Sequence, residues 1–465
     1  MKLHLNNDNE LKKCTARPGR CIYEDQPHFD SEEEAYEHIE KISPPIKKLT
    51  KKDPIKETSY TLDLDKGVLQ AIDGLSEIGR PLVVGGAVRD SLDGYENKDI
   101  DLEVYSTDVD TIIKTMKSKG YYVDAVGKQF GVIKVSKKGT VNDLDVSVPR
   151  EENRTGTGHK AFEVRMDKEL TISEAVNRRD FTFNALMYDP KKEVLIDAVD
   201  GQKDFNNHVI RHISDRFKED PLRVLRGFQF AGRFNMKYAP ETSELAKNIR
   251  NEYSVLSVER VREEWGKFYT KSKKPSAGIK ALQDSGWDDT LPGLRNALKN
   301  ESVSHNLDSA ATLDQEDKTH VSAAIISRQM NENDAKTFNE TTLPRLKDSQ
   351  WVNNLIHARS ENLSTTLERK QAAEQKHFTF KKLESFARAT NDKELLKVSQ
   401  KAKSEGIYTS PETPLLDGNY LIKNSTKKAG PWIKETLNKV KRAQYSGEIT
   451  TRKQAEEYAD ELLKE

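Results

Sequence analysis

The sequence predicts an α/β head followed by an all-α remainder. Three observations predict it. Strand-like alternation is confined to residues 80–210, helical spacing takes over beyond residue 213, and 465 residues exceed what one compact core accommodates. Hydrophobic residues make up 35% and charged residues 33% of the chain, which describes a water-soluble and largely helical protein. No run of about 20 apolar residues exists, so no membrane span is expected. The first residues, MKLHLNNDNELKKC, contain no apolar stretch of the secretory kind. Two cysteines near the N-terminus cannot build a disulfide framework, and a reducing, cytoplasmic setting is the expectation. Lys+Arg and Asp+Glu are equal at 76 each, which removes a nucleic-acid argument from global charge but leaves local patches open.

Residues 1–75 have no sustained periodicity, include KISPPIKKLTKKDP, and read as an N-terminal extension, partly flexible. Cys14, Cys21 and His28 sit close together in it. Three candidate metal ligands at loose spacing and without a fourth favour a solvated extension over a zinc site. Residues 76–212 form the head: PLVVGGAV is a strand running into a turn, IDLEVY alternates, and DTIIKTMKSKG is helical. GVIKVSKKGTVNDLDVSV reads as a hairpin about Lys-Lys-Gly, and EVLIDAVD as a further strand. Helical stretches then follow, from DPLRVLRGFQFAGRF to PWIKETLNKVKRAQ. Breaks near KSKKPSAG, LPGLRN and TSPETPLLDGN divide them into 213–275, 276–400 and 401–465.

The chemistry concentrates in PLVVGGAVRDSLDGYENKDIDLEV, residues 81–104. In a strand, Asp99 and Asp101 point the same way, and two such carboxylates repel unless a cation lies between them. Hard oxygen ligands suit Mg2+, which takes its remaining ligands from water and substrate phosphates. The Gly85-Gly86 turn lets backbone approach a phosphate closely, the AVRDSL helix turns its first N–H groups toward it, and Arg89 adds charge. A second strand, LDVSVPR, offers a third carboxylate, either Asp145 or, two residues earlier on the same face, Asp143. Three acidic groups suffice for two-metal phosphoryl transfer.

The run GGAVRD…DIDLEV, with RRDFTFNALMYD (178–189) and EDPLRVLRGFQFAGRF (219–234), resembles the tRNA nucleotidyltransferases. These CCA-adding enzymes, here of class II, share their head with bacterial poly(A) polymerases, and the matched motifs span roughly residues 80 to 270. The resemblance implies a nucleotidyltransferase head, a mixed β-sheet with flanking helices, followed by an all-α neck, body and tail. It implies Asp99 and Asp101 as metal ligands, with Asp145 preferred as the third catalytic carboxylate. Nucleotide contacts would come from Gly85, Gly86 and Arg89 at the triphosphate, and from Arg179, Asp180 and Asn184 at the ribose and phosphates. Glu219, Asp220 and Arg223 match the template that pairs with the base; Asp220 and Arg223, three apart, are expected on one helical face. Arg226, one turn on, would also lie toward the nucleotide. Gln229 stands where many relatives carry Arg, and Lys128 is a further candidate phosphate contact. REENRTGTGHKAFEV (150–164) reads as a mobile loop, which in the family helps switch from C to A addition. Glu259, Arg260 and Glu264 resemble a bracing helix.

The tail resembles that of bacterial class II enzymes. Between residues 420 and 453 nine Lys/Arg face two Glu, a patch suited to a tRNA backbone, with Lys427, Lys428, Lys434, Lys441 and Arg442 as the candidates. No adjacent His-Asp pair occurs in the middle of the chain, so the phosphohydrolase domain of some relatives is expected to be missing. The expected activity is CCA addition to the tRNA 3′ end from CTP and ATP, with Mg2+ and with no membrane or obligatory protein partner. Poly(A) synthesis, CC-only or A-only addition, and an inactive RNA-binding module are the alternatives.

Overall fold

The structure, a computed structural model, describes residues 3–5, 11–13, 28–29, 50, 53–95, 99–154 and 162–464. Cys14, Cys21 and the side chain of His28 lie outside the described residues. The chain divides into two compact units, Met1–Glu264 with Ala277–Thr290, and Trp265–Ser276 with Leu291–Glu465.

The first unit is built on an eight-stranded mixed sheet. Its strands run in the spatial order Lys56–Ser59, Val194–Asp197, Met187–Asp189, Arg80–Val84, Asp101–Tyr105, Val141–Ser147, Val132–Lys137 and Tyr122–Asp124. One neighbouring pair is parallel, Asp101–Tyr105 beside Val141–Ser147, and the others are antiparallel. The Lys-Lys-Gly hairpin therefore forms where its alternation places it. Side chains alternate across the sheet. Val83, Leu102 and Val104 enter one core with Ala71, Ile72 and Leu75 from helix Lys66–Ser76 and with Ile112 and Met116 from helix Val109–Ser118. Leu82, Val84 and Tyr105 enter the core on the opposite face with Met187 and Ile196. The stretch read as an extension thus contributes an edge strand and a core helix, residues 56–76, to the head. Its apolar positions 68, 71, 72 and 75 carry the helical spacing that the preceding charged residues obscured.

The segment expected to be a mobile loop is paired at its base, with Arg150–Arg154 antiparallel to Phe162–Met166; the residues between lie outside the described set. Helix Leu222–Phe234 docks through aromatic rings onto the RRDFTFN segment. Phe183 meets Phe230 edge-on at 5.5 Å and stacks on Phe181 at 5.6 Å. Such ring pairs add about 1 kcal/mol each beyond area burial, and here they bring two distant sequence motifs together.

The second unit is helical among its described residues. Trp265 meets Phe338 at 5.3 Å. Helices Gly418–Lys423, Pro431–Ser446 and Arg452–Lys464 share a small core of Leu421, Val440, Ala443, Ala455 and Ala459. No described helix is long and apolar enough to cross a membrane.

Candidate active site

Strand Arg80–Val84 hands the chain to Gly85, whose φ of +74° belongs to the region that L side chains avoid. A Cβ at Gly85 would lie 3.4 Å from Asp101 Oδ2, so the glycine turn and the carboxylate are in van der Waals reach. Strand pairing sets Val84 opposite Asp101 and, on the other side, Asp101 beside Asp145. Asp99 precedes the strand, which begins at Asp101, and it is exposed. The two carboxylates are therefore not consecutive same-face strand positions. They are nonetheless close enough to interact: burial, then Asp145, then Asp99 push the Asp101 carboxyl up to about 6, against the pull of Arg179 and Lys134. Asp145 pairs with Lys134, its register neighbour, at 2.9 Å, while Asp143 is exposed. Among the described residues no three His, Cys, Asp or Glu side chains are already closed around one metal position. The mutual repulsion of Asp99, Asp101 and Asp145 is nevertheless what a hard divalent cation relieves, so this donor set fits Mg2+.

Asp101 opens on a cavity of about 500 Å3. It brings together Gly85, Gly86, Arg89, Asp101, Arg179, Asp180, Asn184, Asp220, Arg223 and Arg226, from motifs spread over 142 positions (85 to 226, inclusive). Arg150, Arg178, Leu222 and Arg260 complete the lining; Asp99, Asp145, Glu219 and Lys128 are not part of it. Seven guanidiniums thus face three carboxylates, a balance suited to a polyphosphate.

A chain of buried hydrogen bonds locks this lining. Arg89 donates to Asp90 Oδ1 from Nε and Nη2, at 2.9 and 2.7 Å, and to Asn184 Oδ1 from Nη1 at 2.7 Å. Asn184 donates in turn to Asp180 Oδ1 at 3.1 Å, and Asp180 Oδ2 accepts from Arg226 Nε at 2.7 Å. Arg233 reaches Asp90 Oδ2 at 2.9 Å. Arg89, expected at the triphosphate, lines the cavity but is buried as a tie over the Phe230 and Phe234 rings, and burial lowers its pKa. Burial would raise Asp180, but Arg226 and then Arg223 hold its carboxyl below the usual range.

The expected base-reading pair differs from its helical picture. Asp220 is extended, φ −128° and ψ 96°, because it precedes Pro221, and a residue before proline is driven out of the helical region. Helix Leu222–Phe234 begins after it, so Asp220 and Arg223 are not stacked on one face. Asp220 accepts from Leu222 N at 3.2 Å and from Arg260 Nη2 at 2.8 Å. Arg223 donates to the carbonyls of Arg216 and Arg178 at 2.8 and 2.6 Å. Glu219 pairs with Arg216 at 3.4 Å, and Lys128 with Asp110 at 2.6 Å. Gln229 is buried inside the helix packing, so no charge is presented there. Arg260, expected only to brace, is also a cavity residue.

Sequence reasoning missed Arg178 and Glu103. Arg178 stands beside Arg179 in the quoted motif, and Glu103 continues the Asp101 face of its strand, so alternation alone could have flagged it. In the tail, Lys427, Lys428, Lys434 and Arg442 are exposed, whereas Lys441 is half-buried and pairs with Glu374 at 2.7 Å.

The fold is a mixed-sheet head carrying this cavity, followed by a helical extension. Residues 82–211 match the family model described as the poly A polymerase head domain. The chain is 38% identical over 209 residues to the multifunctional CCA protein of Aliivibrio salmonicida, and 36% identical over 208 residues to that of Stenotrophomonas maltophilia. Each match covers 44% of this chain and 48% of the relative, so the chain spans about half the length of the curated relatives it matches. Its fold is that of the CCA-adding enzymes. The Bacillus stearothermophilus enzyme in complex with CTP superposes with a TM-score of 0.64 at 23% identity, over 85% of this chain and 97% of that one. The Thermotoga maritima enzyme complexed with tRNA gives 0.59 at 19%, over 86% and 96%.

Proposed function

We propose that this protein adds CCA to the 3′ end of tRNA from CTP and ATP without a nucleic-acid template. The observation that carries the reading is one cavity in which the Gly85 turn, Asp101 and seven guanidiniums converge, with Asp145 beside Asp101 in strand register just outside the lining. In this reaction the tRNA 3′-oxygen bonds to the α-phosphorus, the bond to the bridging oxygen breaks, and pyrophosphate leaves. Asp99, Asp101 and Asp145 would hold Mg2+, which when bound lowers the pKa of the attacking hydroxyl and offsets charge on the leaving pyrophosphate. Gly85 and Gly86 give the polyphosphate close backbone approach, and Arg179 lies over it. Arg89, Asp180, Asn184 and Arg226 form the frame that fixes these groups in place, which is how positioned charges act without reorganising.

Base choice falls to Asp220 and Arg223, with Glu219 behind them. A carboxylate accepts from the amino group that C and A share, and a guanidinium donates to ring acceptors. Arg260 and the two backbone carbonyls aim this pair. Residues 213–275 would thus be the base-reading neck, 276–400 a helical body, and 401–465 a tail that grips tRNA phosphates through Lys427, Lys428, Lys434 and Arg442, with Lys441 as a minor contributor. Such a substrate belongs to the cytoplasm.

The test is incubation with Mg2+ and a tRNA transcript lacking its last three nucleotides, supplied with CTP, ATP or both. Two C's from CTP alone and a terminal A only with both nucleotides support CCA addition. A long tail from ATP alone moves the reading to poly(A) synthesis. Retained tRNA binding without extension leaves a binding module.

A further inference from the structure

Glu103 lies two residues beyond Asp101 on the same strand face, yet it is 1% exposed. Three donors converge on its carboxylate. Tyr105 Oη donates to Oε1 at 2.6 Å, and Arg178 Nη2 and Arg179 Nη2 donate to Oε2 at 2.6 and 3.3 Å. Both arginines line the cavity that Asp101 opens on, while Glu103 itself does not. Arg179 also donates to the Asn184 carbonyl at 3.4 Å, and its buried Nε has no hydrogen-bond partner.

A buried carboxylate in this place needs a reason. Taking it out of water costs several kcal/mol, and an apolar side chain would pack the sheet face at less cost. What an apolar residue could not do is hold two like-charged guanidiniums side by side. Arg178 and Arg179 are adjacent in sequence, where consecutive side chains ordinarily diverge, and their charges repel. Glu103 draws both to one oxygen, and Tyr105 fixes the other oxygen.

We propose that Glu103 is a positioning residue that sets Arg178 and Arg179 as a pair to grip the polyphosphate of the incoming nucleotide. It rests on the nucleotidyl-transfer reading above and adds to it the group that aims the phosphate ligands. Glu103 touches no substrate.

The experiment measures inorganic tripolyphosphate binding to the full chain by calorimetry, alongside KM for CTP, ATP and tRNA. Glu103→Gln keeps the shape and the acceptor for Tyr105 but removes the charge. Losing charge-assisted bonds at two arginines should weaken tripolyphosphate binding about tenfold or more. KM for both nucleotides should rise comparably, with KM for tRNA unmoved and kcat within about threefold. A merely structural role would instead lower the melting temperature and kcat together without moving nucleotide KM. Wild-type tripolyphosphate affinity in a folded Glu103→Gln protein overturns the proposal. Should that variant not fold, Arg178→Gln carries the test: it should show the same tenfold weakening, and wild-type affinity overturns the proposal equally. If the unsubstituted protein binds tripolyphosphate but extends no RNA, the reaction assignment fails while the Glu103 result stands. If it binds none, both fail.

Discussion

The head cavity and the tail helix both present several cations, but they hold them differently. In the cavity, Arg89, Arg178, Arg179, Arg223 and Arg226 are each tied to a carboxylate or a backbone carbonyl. On helix Pro431–Ser446, Lys434, Lys439 and Arg442 stand exposed along one side. Charges of the first kind are preorganised and act where geometry decides the outcome. Charges of the second kind sit in water, gain by releasing counterions, and act where affinity for a shape decides it. The difference teaches that counting basic residues does not separate catalysis from docking. Their partners do.

The largest test of that contrast is Asp101→Ala. It should cut nucleotide incorporation by about a thousandfold or more, since it removes the carboxylate facing the glycine turn. Binding of tRNA, which the proposed reading assigns to the exposed tail, should change less than about twofold in a filter or anisotropy assay. Equal losses in both would mean that the two regions are not separable in function.

A second test uses pH. Burial, against the pull of Asp215, lowers the pKa of His212 to about 4, and its ring bonds Thr242 Oγ1 at 2.7 Å. The unfolded chain takes up a proton near 6.5 that the folded protein refuses until about 4. Stability is therefore fully present above 6.5 and falls as pH drops from there toward 4. The loss is at most about 3 kcal/mol at 1.36 kcal/mol per unit. His212→Asn should flatten that slope in thermal melts of the protein.

Asp180→Asn probes the frame itself. It keeps the shape but leaves Arg226 facing a neutral amide, and because Arg226 is one-third exposed the cost should be about 2 kcal/mol in urea unfolding. Nucleotide KM should rise as the lining loosens. A change under about 0.5 kcal/mol would mean that the ties in the cavity are as slack as charges on a surface.

What the sequence made legible follows the range over which its signals act. The glycine turn, the hairpin at Lys-Lys-Gly and helix Leu222–Phe234 are local, and alternation or helical spacing revealed each. The core helix Lys66–Ser76 was hidden because the charged residues before it dominate composition. Asp220 was put on a helix although Pro221 follows it, a misjudgement that the conformational restriction before proline would have prevented. The Asp101–Asp145 register and the Glu103–Arg178 pair join positions 44 and 75 residues apart, and no period in one chain encodes such contacts. Sequence shows the Arg89 charge but not the Asp90 and Asn184 to which it donates.

The smallest effect belongs to the tail. Lys434→Glu with Arg442→Glu reverses two exposed charges on one side of helix Pro431–Ser446, and neither change disturbs the core of Leu421, Val440 and Ala443. Binding of tRNA should weaken by about tenfold near 0.1 M salt, and the slope of log K against log salt should fall by about two, one per lost phosphate contact. KM for CTP and ATP should stay within about twofold, because the proposed reading seats those ligands in the cavity. Lys441→Gln serves as the internal comparison: its ammonium is already held by Glu374 at 2.7 Å, so it should alter the salt slope by much less than Lys434→Glu alone. If instead Lys441→Gln matches Lys434→Glu, a tied cation contributes as much to docking as a free-standing one, and the distinction drawn between the two regions rests on location and not on partners.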